Sequence, residues 1–119
     1  MKANDFRRMV LGMRDTAEGS HMNHPDFRVD GKIFASLHHD LQWGMVALTP
    51  EQQQEFLQEN PRMFVPENGA WGRMGYTKVR LASADEDTVG RAITLARQNA
   101  LDKLTARSTR KPTTRRRAR

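Results

Sequence analysis

The 119-residue chain contains no cysteine. That excludes a disulfide framework, a thiolate zinc site, an iron–sulfur cluster and a cysteine nucleophile, and it fits a reducing, intracellular compartment. Long hydrophobic runs are also missing. The longest apolar stretch is a few residues, against the ~20 a membrane-spanning helix needs, and the N-terminal MKANDFRRMV has no apolar signal-peptide region. These absences predict a soluble cytoplasmic protein with no membrane partner. Hydrophobic residues make up 37% of the chain, aromatics 7% and charged residues 29%, so the core must be compact and part of the chain solvated. A mass of 13.7 kDa suits one domain, because two halves would each be too small to bury a dependable core.

The formal net charge of +6 is unevenly spread. The last 13 residues, RSTRKPTTRRRAR, hold seven basic groups (Arg107, Arg110, Lys111, Arg115, Arg116, Arg117 and Arg119) and no acidic one, leaving 13 basic against 14 acidic groups in residues 1–106, a net of −1. The sequence therefore divides into a nearly neutral domain, 1–106, and a basic tail, 107–119, that lacks large apolar side chains and reads as disordered. Such a tail suits contact with phosphates through counterion release, or serves as a solubilising extension.

Along the domain, Phe6, Met9, Val10 and Met13 recur at helical spacing, behind Asn4 or Asp5 as cap. Gly19 to Pro25 suits a first strand ending in a turn. FRV and KIFASLH flank Asp30-Gly31, a dipeptide that accepts the positive φ angles of a type I′ hairpin. LQWGMVALT reads as a further strand. Thr49, Pro50 and Gln52 supply the cap, first position and capping-box partner of a short helix ending at Asn60-Pro61. PRMFVPENGAWGRMG, with two prolines and three glycines, reads as a shaped loop with a short strand at Met63 to Val65. GYTKVRL alternates, with Thr77, Val79 and Leu81 on a buried face and Tyr76, Lys78 and Arg80 on the solvated one. A last helix begins at a Ser83/Glu86 capping box or at Asp85 and faces Val89, Ile93, Ala96, Ala100 and Leu104 inward. The pattern is α+β, an antiparallel β-sheet with helices packed mainly on one face.

Two segments, HPDFRVDGKIFASL and GAWGRMGYTKVRL, together with the LTPEQQQEFL helix start, resemble the MmcQ/YjbR-like family of small bacterial proteins. The resemblance runs from about Phe6 to Leu104 and leaves out the basic tail. It implies a CyaY-like (frataxin-like) fold and a double-wing DNA-binding role, in which hairpins act as wings. Asp30 departs from the glycine common at this turn, which keeps the turn and makes the hairpin tip less basic. Iron binding, which the CyaY-like fold brings to mind, relies on an acidic first helix, whereas the helix here carries Arg7, Arg8 and Arg14.

Arg28, Lys32, Arg73, Lys78 and Arg80, with Trp71 and Tyr76 between them, combine cations for phosphates with flat rings for stacking. The alternative for this group is structural: Trp71 packs under the glycine-rich loop, and Arg28 or Arg73 holds a carboxylate such as Asp26. Of the four histidines, His38 and His39 are adjacent and point to opposite faces of a strand, so a metal site shared with His21 and His24 is not expected. No nucleophile elbow, Walker loop or dinucleotide fingerprint is present, and Gly69, Gly72 and Gly75 lack the strand–turn–helix context that a phosphate loop needs. The sequence therefore predicts a non-enzymatic protein without a cofactor, binding DNA through basic hairpin and strand residues and through its tail. The alternatives are a protein-interaction module and, below it, a small-ligand domain.

Overall fold

The computed structural model describes the backbone of residues 1–117 and the side chains of residues 1–106. Helix α1 (Ala3–Leu11) opens the chain, followed by β1 (Thr16–His21), β2 (His24–Val29), β3 (Lys32–Leu37), β4 (Trp43–Ala47), α2 (Pro50–Glu59), β5 (Phe64–Pro66), α3 (Gly69–Arg73), β6 (Tyr76–Arg80) and α4 (Glu86–Arg117). The strands form one antiparallel sheet in the order β1-β2-β3-β4-β6-β5. The α+β architecture is the one the sequence pattern implies, and among the described residues no helix is long and apolar enough to cross a membrane.

Local chemistry sets the element boundaries. At the β2–β3 hairpin Asp30 and Gly31 both take positive φ (50° and 79°), the pair of left-handed residues that a type I′ turn needs to match strand twist. Met22 and Asn23 do the same between β1 and β2 (49° and 68°), so this turn makes a second hairpin from a dipeptide that holds no glycine. Thr49 Oγ1 accepts from the Gln52 N–H at 3.1 Å while Gln52 Oε1 accepts from the Thr49 N–H at 3.0 Å, the reciprocal box read from the sequence. For α4, Asp85 is the cap, its carboxylate accepting from the Thr88 N–H at 2.8 Å. Helix α1 starts two or three residues earlier than Asn4 or Asp5 as cap requires: Lys2 takes the cap position, and Asp5 Oδ2 accepts from the Lys2 N–H at 2.8 Å.

Strand alternation divides the sheet into two faces. Phe27, Val29, Leu37, Val46, Val79 and Phe64 point to one side and form a single cluster with Phe6 and Val10 of α1, Phe56 of α2, and Val89, Ile93, Ala96 and Ala100 of α4. Burial of this apolar surface is what holds α1, α2 and α4 on that side. A bulge refines the register: Phe27 pairs with Ala35 and Arg28 with Ile33, so Phe34 is an extra residue and is buried beside Ala35. The second face carries the polar residues discussed next; α4 reaches its rim with Leu104, which the sequence pattern faced inward but which is half-buried there outside the core cluster.

Candidate functional site

The pairings Asp26–Ser36, Ser36–Met45 and Met45–Lys78 define one row across the open face, and Trp43–Arg80 lies in the next. Ser36 and Met45 of the first row, with His24, Arg28 and Tyr76, line a groove of about 1000 Å³ whose walls also include His21, His38 and Trp71; Lys78, Trp43 and Arg80 share the face but are not wall residues.

At one end, three side chains are locked together. Asp26 is completely buried. Arg28, two residues on and hence on the same face, donates from Nε to Oδ1 at 2.8 Å and from Nη2 to Oδ2 at 3.1 Å, and His21 Nδ1 lies 2.7 Å from Oδ2. The Arg28 hydrogen bonds hold the Asp26 carboxyl below the usual carboxylate range, against the opposing effect of burial. The structural role considered for Arg28, holding Asp26, is therefore realised. Across the β1–β2 turn the rings of His21 and His24 meet edge to face at 4.7 Å. His24 Nδ1 is buried without a hydrogen-bond partner among the described residues, and desolvation, reinforced by His21, His38 and His39, lowers the pKa of its ring.

A second carboxylate–histidine pair follows, His38 Nε2 to Glu67 Oε2 at 3.0 Å. Glu67 begins the loop between β5 and β6, where the sequence suggested an irregular segment with a strand at Met63 to Val65. The strand is Phe64–Pro66, one residue later, and the loop contains α3, which the glycines concealed. Those glycines are needed: a Cβ on Gly72 would lie 1.9 Å from the Glu67 carbonyl oxygen, and Gly75 has φ of +108° with the Leu48 carbonyl 2.2 Å from where a Cβ would stand. Gln53 of α2, almost fully buried, ties the loop to β6 by donating from Nε2 to the carbonyls of Gly72 (3.1 Å) and Tyr76 (3.0 Å) and to Thr77 Oγ1 (3.2 Å).

This loop presents Trp71. The sequence-level alternative placed Trp71 beneath the glycine-rich loop; instead it is 58% exposed and rests against Tyr76 with ring centroids 5.0 Å apart. The loop packs its own backbone closely at Gly72, against the Glu67 carbonyl, and the indole lies on its outside. Lys78 Nζ and Arg80 Cζ stand 4.8 and 4.5 Å from the ring centre of Trp43, which fixes both cations on the open face. Lys32, directly after the β2–β3 turn, is half-buried at the groove wall, whereas Arg73 is exposed at the end of α3 and is not a wall residue. Arg107, Arg110, Lys111, Arg115, Arg116, Arg117 and Arg119 lie outside the residues whose side chains are described, as does the reading of residues 107–119 as a disordered tail.

A solved structure shares this fold. The crystal structure of Deinococcus radiodurans protein DR2400, a DUF419 domain, matches with a TM-score of 0.65 and 16% identity over 77% of this chain and 72% of that chain. DUF419 is the MmcQ/YjbR-like family, so the DUF419-like fold agrees with what the sequence motifs imply. The sequence matches no family model and no curated protein.

Of the residues singled out from the sequence, Arg28, Lys32, Trp71 and Tyr76 line the groove, Lys78 and Arg80 stand on the same sheet face outside its walls, and Arg73 is exposed at the end of α3. Sequence reasoning missed Trp43 and the carboxylate partners of His21 and His38. Trp43 was within reach, because pairing the alternating β4 against β6 puts it on the face of Lys78 and Arg80. The contact of Glu67 with His38, 29 residues apart, left no local signal. Among the described residues no group of three or more histidines and carboxylates is disposed to hold a metal ion.

Proposed function

We propose that the open face of the sheet is a nucleic-acid-binding surface and that the protein acts by binding rather than by catalysis. The observation that carries this reading is the combination of an exposed Trp71 resting against Tyr76 with Lys78 and Arg80 held over Trp43 on one sheet face. The buried carboxylate of this face, Asp26, is neutralised by Arg28, and Glu67 is engaged by His38. Lys32, Lys78 and Arg80 have no carboxylate partner among the described residues and are available to phosphates. DNA is the nucleic acid we assign, with the basic tail adding contact that is independent of sequence.

Fluorescence anisotropy with random-sequence DNA tests the assignment. Lys78→Ala combined with Arg80→Ala should weaken binding uniformly across sequences and reduce the log–log salt slope by about 1.4–1.8, at ~0.7–0.9 per phosphate contact. Unchanged affinity at low salt refutes this face as the contact.

The histidine-lined groove favours a second reading, a small anionic ligand seated between the His21–Asp26 and His38–Glu67 pairs. Titration with inorganic phosphate, followed by the imidazole resonances of His21 and His38, separates the two. Saturable shifts at low phosphate support the small ligand; their absence removes it.

A further inference from the structure

We infer that the open face selects an unpaired DNA strand over a duplex. The inference rests on the nucleic-acid reading above and specifies its ligand, and three features of the structure lead to it.

The first is what the hairpin tips lack. A duplex-reading wing needs cations at the tip, where the turn meets phosphates or enters a groove. The β1–β2 tip is Met22-Asn23 and the β2–β3 tip is Asp30-Gly31, so neither tip carries a positive charge and one carries a negative one. Met22 is 86% exposed and apolar. The basic residues stand back from the tips on the face of the sheet, with Lys32 flanking the second turn and Lys78 and Arg80 both on β6, two strands from β3.

The second is the exposed ring. In a duplex the faces of each base are covered by neighbouring pairs, so an aromatic side chain stacks on a base only when that base is unpaired or displaced. Trp71 meets Tyr76 at a 43° tilt with ring centroids 5.0 Å apart and is 58% exposed. A stacking residue held by a loop with two constrained glycines and a buried glutamine is pre-organised, which lowers the entropy cost of meeting a base.

The third is the relation of ring to charge. Trp71 and Tyr76 belong to the same loop–strand unit as Lys78 and Arg80, since β6 begins at Tyr76 directly after the loop. A strand laid along β6 can stack a base at the loop while its phosphates pass Lys78 and Arg80, the combination of aromatic platform and basic track typical of single-strand binding. Charge complementarity holds along this path, because Asp26, across the sheet on β2, and Glu67, beside Tyr76 at the start of the loop, are already paired.

The test uses the full chain, fluorescently labelled oligo-dT and a duplex of the same length, with Trp71→Ala, Trp71→Phe and the Lys78→Ala/Arg80→Ala double variant. Trp71→Ala should weaken oligo-dT binding by roughly 5- to 150-fold, the range expected from loss of one base–aromatic stack, and leave duplex binding within about twofold; Trp71→Phe should retain most of the affinity. Because Trp71 is exposed, the variants are expected to fold, and circular dichroism checks this. Equal weakening of both ligands by Trp71→Ala, or weakening of neither, overturns the strand selection. If the double variant still weakens both ligands in that case, the nucleic-acid reading stands and the choice of strand alone fails. If no variant weakens either ligand, the face is not the contact and both fall.

Discussion

Gln53 offers the most direct test of how the fold holds the candidate site. Replacing it with leucine keeps most of the volume and removes the three Nε2 interactions that join α2 to the Trp71 loop and to β6. The size of the effect depends on what the freed acceptors retain. The Gly72 carbonyl still accepts from the Gly75 N–H at 3.0 Å and the Tyr76 carbonyl from the Glu67 N–H at 2.9 Å, while Thr77 Oγ1 keeps its bond to the Gly75 carbonyl at 2.7 Å. No acceptor is left wholly unpaired, so the full penalty for an orphaned buried group does not apply. What is lost is the net worth of two good hydrogen bonds and a longer one, about 1–2 kcal/mol. With a urea m-value of about 1–3 kcal/mol/M, the unfolding midpoint should fall by roughly 0.5–1 M with m unchanged.

Gln53→Glu is the companion experiment. It sets a carboxyl against three acceptors in a buried position, so the proton is retained in the folded state and the group's folded pKa rises above its unfolded value near ~4.3. The stability of this variant is then highest below that value and falls as pH rises towards neutrality, whereas the deficit of Gln53→Leu stays flat. An unchanged midpoint for Gln53→Leu, or identical pH profiles for the two variants, refutes the reasoning.

Other expectations are similarly specific. Gly72→Ala drives a methyl into the Glu67 carbonyl and should cost about 1–3 kcal/mol, read as a urea midpoint, with a change in Trp71 emission as the loop shifts; a wild-type midpoint would show that the close approach is not structural. The fold should weaken in acid for two reasons. Asp26, with its pKa lowered, stabilises above its unfolded pKa and loses that contribution as pH falls through the folded one, while His24, also lowered, resists a proton that the unfolded chain accepts below about 6.5. Asp26→Asn should therefore be destabilised relative to wild type at neutral pH, with the gap closing as the wild-type carboxyl protonates, and a gap constant with pH in thermal melts would contradict this. In the tail, Arg115→Gln, Arg116→Gln and Arg117→Gln together should flatten the log–log salt slope on duplex DNA by up to about 2.7, at ~0.9 per phosphate; retention of the full slope removes the tail from the contact.

Much of this protein was legible along the chain because short-range physics carries it. The Thr49–Gln52 box, the Asp30-Gly31 turn, the alternation of β6 and the inward face of α4 each depend on residues within a few positions of one another. The same locality made the outward face of β6 readable, and with it Lys78 and Arg80. Where the sequence signal was poor, the deciding contacts lay far apart in the chain. Helix α3 forms among glycines that disfavour a helix, held by Gln53 from 19 residues away at Gly72. Trp71 is exposed on a loop whose backbone closes on itself between residues 67 and 72, a contact that composition does not reveal.

The amino-acid sequence by itself determined the class of fold, the Asp30-Gly31 hairpin turn, the starts of α2 and α4 and the charge asymmetry between residues 1–106 and 107–119, since these follow from periodicity, turn chemistry and charge. Only the tertiary structure decided which face the helices cover, which ions are spent on each other and which rings remain free. Arg28 is committed to Asp26 because alternation in β2 places them on the same face, and His38 to Glu67 because the β5–β6 loop brings Glu67 to it. Stacking and phosphate contact need surface that no partner already occupies, and occupancy is a property of the assembled chain.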